Sequence, residues 1–127
     1  MKQIIAYDFD STIATYITPW KLNVLGKPIK EVIKSLRYHY NKGDYILIFT
    51  GRKNNKILRE WLKINNVPYN GININPKPHH DSSPFKPYFT CVIDDKAINP
   101  WNLKTGKIKT TKQILWEIKK ITTRERL

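Results

Sequence analysis

The sequence predicts an α/β fold, a three-layer sandwich built on a doubly wound parallel sheet and forming a single domain over residues 1–127. Three observations predict it. Short apolar bursts alternate with segments whose apolar residues fall at three-four spacing, as buried strands alternate with amphipathic helices. Two of the bursts end directly in paired acids, the place where such sheets hold their ligands. A chain of 127 residues with 40% hydrophobic content has room for one core.

The elements follow in order. Gln3 to Phe9 is a short apolar run ending in acid, which reads as a buried strand with its last residues at the solvent. Gly26-Lys27-Pro28 opens a helix with Ile29, Val32, Ile33, Leu36 and Tyr40 on one face, and Gly43 stands just past its end. Tyr45 to Thr50 is β-branched and aromatic and reads as a second buried strand. A second helix runs from about Asn54 to Asn65 with Ile57, Leu58, Trp61 and Leu62 on one face, and Tyr69 to Ile74 is a short third strand. Asn75 to Pro87 holds four of the eight prolines and reads as a loop. Tyr88 to Ile93 is a fourth strand, ending at Asp94-Asp95, with Cys91 expected to be buried in it. After a turn at Thr105-Gly106, a last helix from about Thr110 to Thr122 is expected to turn Ile114, Leu115, Ile118 and Ile121 inward.

Charge narrows the function. Lysine and arginine total 23 against 10 acids, a formal charge of +13, and a basic excess of that size predicts an anionic partner. Four acids, Asp8, Asp10, Asp94 and Asp95, sit at two strand ends; the other six against 23 bases leave +17. No apolar run approaches the roughly 20 residues needed to span a bilayer, and no signal peptide is evident, so a soluble, cytoplasmic protein with no membrane partner is expected. One cysteine excludes an intrachain disulfide and any zinc site of several thiolates.

Asp8-Phe9-Asp10-Ser11-Thr12 after the first strand, Thr50-Gly51-Arg52 after the second, a lysine before the last strand and Asp94-Asp95 after it occur in one order along nearly the whole chain. This arrangement resembles the haloacid dehalogenase superfamily, and more narrowly its small capless phosphatase-like members of bacteria and phages. The resemblance implies a phosphomonoesterase that works through an aspartyl-phosphate. Asp8 would be the nucleophile, and Asp10 would protonate the leaving group and then deprotonate the hydrolytic water. Phe9 between them would point its side chain into the core. Thr50 would hydrogen-bond a phosphoryl oxygen, helped by the main-chain N–H groups of Phe9 and Gly51. Lys86 is the expected catalytic lysine, with Lys77 as the competitor. Arg52 would contact the leaving group or a distal phosphate, and Trp20 would stack a base.

Clustered carboxylates repel one another, and magnesium, a hard cation with oxygen ligands, is the implied cofactor. Its ligands would be the Asp8 carboxylate, the Asp10 main-chain carbonyl, Asp94, and Asp95 directly or through water. Ser11 stands where the superfamily usually has glycine, and no segment is long enough to be a cap domain. An uncapped site in a +17 background favours a phosphorylated substrate that is a nucleotide or a nucleic-acid end, such as a 3'-phosphate. The lysine-rich last helix would suit the same partner. The alternatives are a small-molecule phosphatase roofed by a neighbouring subunit and a non-catalytic nucleic-acid-binding protein on the same fold. His79-His80-Asp81 does not suit a shared ion, since adjacent loop residues rarely hold one together.

Overall fold

The computed structural model describes residues 3–76 and 87–124. The chain divides into two compact units, one up to Asp94 and one from Asp95 onward.

The first unit is the α/β fold that the sequence predicts. Its strands are β1 (Ile4–Tyr7), β2 (Tyr45–Ile48), β3 (Gly71–Ile72) and β4 (Cys91–Ile93), with helices α1 (Lys30–Asn41) and α2 (Lys56–Ile64) in the crossovers. The strands form one parallel sheet in the order β3-β2-β1-β4. Ile5 of β1 stands beside Ile46 on one side and Cys91 on the other, and Tyr7 beside Ile48 and Ile93. All four β1 residues are buried, as expected of a central parallel strand.

From β1 the chain steps to β2 and then β3 in one direction. Right-handed crossovers in one direction put their helices on one face. The core agrees: Ile33 and Leu36 of α1 join Leu58 and Leu62 of α2 in a single cluster with Ile5, Tyr7, Ile46, Ile48 and Ile72. The alternate strand residues Ile4, Ala6 and Leu47 are also withdrawn from water. Burial pushes the Tyr7 phenol above its ordinary pKa, against the opposing effect of its 3.0 Å hydrogen bond with the Ser35 hydroxyl.

The remaining strand, β4, lies on the other side of β1, so the direction of winding reverses between β1 and β4. Cys91 lies on this edge strand and is exposed, contrary to the sequence expectation of a buried residue; an edge strand has a neighbour on one side only.

Helix boundaries follow local chemistry. Asn55 caps α2, its side-chain oxygen accepting from the Leu58 N–H at 3.0 Å. Before α1, Gly26 sits against Thr15: a Cβ there would lie 2.0 Å from the Thr15 carbonyl oxygen, so only glycine fits. The Thr15 N–H donates to the Lys27 carbonyl at 2.8 Å and the Trp61 indole to the Gly26 carbonyl at 3.0 Å.

The second unit holds an antiparallel hairpin, β5 (Trp101–Asn102) and β6 (Lys107–Ile108), and helix α3 (Thr111–Thr123). Thr110 caps α3, accepting from the Gln113 N–H at 3.1 Å. Gly106 supplies the positive φ of the hairpin turn. The expected inward face of α3 is not buried: Leu115 is 60% and Ile118 42% exposed, while Ile114 and Ile121 are half-buried. Strands of two residues each give the helix little apolar surface to cover within its own unit. No helix among the described residues is long and apolar enough to cross a membrane.

Candidate active site

A parallel sheet presents the carboxyl ends of its strands to ligands, and the crevice opens where the winding reverses. In this sheet that position lies between β1 and β4. The Asp8 N–H donates to the Ile93 carbonyl at 2.9 Å, which carries the ladder one step beyond β1 and brings Asp8 beside Asp94. Carboxylate oxygens of Asp8 and Asp94 lie within 4.8 Å of one another. On the other side, the Phe49 N–H donates to the Tyr7 carbonyl at 2.9 Å, which brings the Thr50–Arg52 turn to the same edge.

Beyond Asp8 the chain turns sharply. The Phe9 carbonyl accepts from the N–H groups of Thr12, Ile13 and Ala14, and the Ser11 N–H donates to the Ala14 carbonyl at 2.8 Å. Ser11 has a φ of 61°, the left-handed region that glycine enters most readily. The Phe9 side chain is fully buried and meets the Trp61 ring edge-on at 4.9 Å between centroids. The acids before and after it are therefore left on the solvent side of the strand end.

Asp10 meets Arg52. The Arg52 Nε lies 3.2 Å from Asp10 Oδ1 and 3.0 Å from Oδ2, and one terminal nitrogen lies 2.9 Å from Oδ1. The other terminal nitrogen donates to the carbonyls of Lys21 at 2.8 Å and Leu22 at 2.7 Å, and the first also reaches the Val24 carbonyl at 3.3 Å. Every one of the five guanidinium N–H donors thus has an acceptor, and the residue is 1% exposed. Arg52, expected at the substrate, is instead turned inward, because three loop carbonyls and one carboxylate form a closed acceptor set around it. It has no donor left for a leaving group or distal phosphate.

Trp20, expected to stack a base, lies beside the same pair. Its indole N–H donates to Asp10 Oδ2 at 3.3 Å, and its ring lies 4.6 Å from the Arg52 guanidinium carbon. It remains 43% exposed.

Thr50 is half-buried, and its Oγ accepts from the Arg52 N–H at 3.1 Å. A hydroxyl that accepts in one direction keeps its proton for another, so Thr50 retains a donor. Gly51 is exposed, and a Cβ built there would meet nothing within 4 Å. Sequence reading passed over Asn73, which holds this turn in place. Its amide oxygen accepts from the Thr50 N–H at 2.8 Å, its amide nitrogen donates to the Arg52 carbonyl at 3.1 Å, and its own N–H donates to the Ile48 carbonyl at 2.9 Å. Its φ is 53°, and asparagine, a residue that tolerates the left-handed region, within Tyr69–Ile74 is the signal that could have marked it.

Asp95 follows Asp94 in the chain and belongs to the second unit, where Oδ2 pairs with Arg124. Its Oδ1 is buried with no hydrogen-bond partner among the described residues. Lys86 and Lys77, like His79-His80-Asp81, lie outside the described residues. Two grooves of about 290 Å³ each run along α1 and α2, sharing Arg37 and Asn66; neither is lined by a strand-end acid.

No family model matches the chain, and no curated protein does. Among solved structures, it is similar to a conserved protein of Bacteroides thetaiotaomicron, with 21% identity and a TM-score of 0.60 over 98% of this chain and 94% of that one. It is also similar to a structural-genomics target from Vibrio cholerae, with 25% identity and a TM-score of 0.50 over 94% of this chain and 98% of the other. These likenesses establish the shared fold over nearly full length.

Proposed function

We propose that the chain is a capless phosphomonoesterase of the haloacid dehalogenase superfamily, magnesium-dependent and acting on nucleotide or nucleic-acid phosphate. The observation that carries the reading is the meeting of Asp8 and Asp94 at the reversal point of the sheet, with Asp10 and the Thr50 hydroxyl at the same edge.

In this reading an Asp8 carboxylate oxygen attacks phosphorus. The bond from phosphorus to the ester oxygen breaks, and that oxygen takes a proton from Asp10. Water then attacks the phosphorus of the aspartyl-phosphate and gives a proton to Asp10; the bond to Asp8 breaks and inorganic phosphate leaves. Thr50 donates to a phosphoryl oxygen, with the N–H groups of Phe9 and Gly51 beside it. The site lysine, Lys86 with Lys77 as the alternative, balances phosphoryl charge.

The donor set is all oxygen, which suits a hard divalent cation. Asp8, the Asp10 carbonyl and Asp94 would hold it, and Asp95 is the fourth candidate ligand, directly or through water. Magnesium would supply charge neutralisation for nucleophile and phosphoryl group. The +13 net charge and uncapped strand ends favour a large anionic substrate, and the single cysteine suits a reducing cytoplasm.

The test offers the purified protein an aryl phosphate, mononucleotides, and 3'- and 5'-phosphorylated oligonucleotides, with magnesium or with chelator, alongside Asp8→Asn. Magnesium-dependent phosphate release that Asp8→Asn abolishes is expected. No release from any substrate would sink the enzyme reading. Equal rates on mononucleotides and oligonucleotides at low salt would remove the polymer preference.

A further inference from the structure

We infer that Arg52 is a positioning residue: it fixes the carboxylate of Asp10 for proton transfer and couples that carboxylate to the Lys21–Val24 segment. The inference rests on the phosphatase reading and assigns the arginine a role in it.

The guanidinium is positively charged and 1% exposed, so its charge must be met where it lies. Asp10 meets it in a side-on fork, with Nε between the two oxygens and one terminal nitrogen on Oδ1. A fork of this kind sets the plane of the carboxylate as well as its position. The remaining donors hold the carbonyls of Lys21, Leu22 and Val24, so acid and loop share one rigid centre. The Trp20 ring at 4.6 Å and the Phe9 ring at 5.8 Å lie against the guanidinium.

Packing alone does not call for this arrangement. A buried ion pair is seldom more stabilising than apolar side chains of the same volume, and loop carbonyls at a surface can be hydrated instead. The pair is built two residues after the proposed nucleophile, where a carboxylate must keep one orientation through two proton transfers. The two oxygens are not equivalent. Oδ1 takes two Arg52 contacts, whereas Oδ2 takes one, at Nε, and its other neighbour is the indole N–H of the half-exposed Trp20 at 3.3 Å. Oδ2 is therefore the oxygen that carries the proton to the leaving group, which replaces the indole N–H beside it. Arg52 itself transfers no proton.

Leaving-group dependence separates this role from a structural one. A nucleotide ester leaves as an alkoxide and needs a proton, while dinitrophenolate leaves without one. First-turnover release is measured for a mononucleotide and for dinitrophenyl phosphate, with wild type, Arg52→Lys and Trp20→Phe. Arg52→Lys is expected to lower release from the mononucleotide about 100-fold or more, with KM within about threefold, and release from the activated ester less than about 10-fold. Trp20→Phe, which keeps an aromatic ring and removes the indole N–H that donates to Asp10 Oδ2, tests the assignment of that oxygen and is expected to lower the nucleotide rate alone, and Arg52→Gln stands in if Arg52→Lys does not fold. Equal losses on both esters in an active protein overturn the positioning role and leave the phosphatase reading intact. A wild type inert towards both esters overturns the two together.

Discussion

Asn73→Ala removes the brace behind the Thr50–Arg52 turn. Asn73 makes two side-chain hydrogen bonds, to the Thr50 N–H at 2.8 Å and from its own amide to the Arg52 carbonyl at 3.1 Å. Each is worth about 1 kcal/mol net. Its φ of 53° adds a backbone preference, since alanine at a left-handed position costs about 1 kcal/mol more than a residue that tolerates it. Asn73→Ala should therefore lose about 3 kcal/mol and Asn73→Gly about 2 kcal/mol, because glycine gives up the hydrogen bonds but not the conformation. Urea unfolding followed by tryptophan fluorescence measures both, with the expected order wild type, then glycine, then alanine. In the phosphatase reading, turnover falls in both variants, since the Thr50 hydroxyl loses its fixed direction. An alanine variant as stable as wild type, or a glycine variant less stable than alanine, would refute the assignment of the brace.

Three further outcomes follow from particular contacts. Asp44, buried directly before β2, accepts from the His39 ring at 2.8 Å and the Gln3 N–H at 3.2 Å, and the His39 hydrogen bond, ahead of the other causes, holds its carboxyl below the ordinary 3.8. The folded-state pKa is the lower one, so Asp44 stabilises the fold above about pH 4 and loses that contribution as pH falls through the folded value. Asp44→Asn should thus be less stable than wild type at pH 7 and approach it on acidification, as read by thermal melts across pH. Gly26→Ala must move its Cβ at least 1 Å from the Thr15 carbonyl it would meet at 2.0 Å, straining the Thr15–Lys27 and Trp61–Gly26 hydrogen bonds, and should cost about 3 kcal/mol by denaturant titration. Gly51→Ala adds a methyl into open space, so its melting temperature should match wild type while KM for the phosphate ester rises about 10-fold or more if the Gly51 N–H contacts phosphate.

The β1 and β4 acids were legible in the sequence because they depend on local pattern. An apolar run followed by D-F-D fixes which side chains face out, and Phe9 is buried between Asp8 and Asp10 as period two requires. The helices were legible for the same reason, with ends displaced by one or two residues. Arg52 was not, because an arginine following glycine at a helix start reads as surface. Its inward turn depends on the carbonyls of Lys21, Leu22 and Val24, some thirty residues away, which no local spacing displays. The third strand stops at Ile72 because Asn73 leaves the extended region, and apolar spacing in α3 reported amphipathicity but not what would cover it.

Arg52 and Arg124 also change the metal argument. Read from sequence, four carboxylates repel one another and call for a cation. In the structure Asp10 is neutralised by Arg52, and Asp95 shares one oxygen with Arg124. In the phosphatase reading magnesium would be held chiefly at Asp8 and Asp94, whose oxygens approach within 4.8 Å. Magnesium binding stabilises the folded state according to how far its concentration exceeds Kd, by about 2.7 kcal/mol at a hundredfold excess. Asp94→Asn should abolish most of that thermal shift. Asp10→Asn breaks the fork to Arg52 and lowers the starting melting temperature, yet it keeps the main-chain carbonyl proposed as a ligand, so the magnesium-induced shift should survive. A shift lost in Asp10→Asn but kept in Asp94→Asn would move the cation away from the β1–β4 crevice and towards the Asp10 carboxylate.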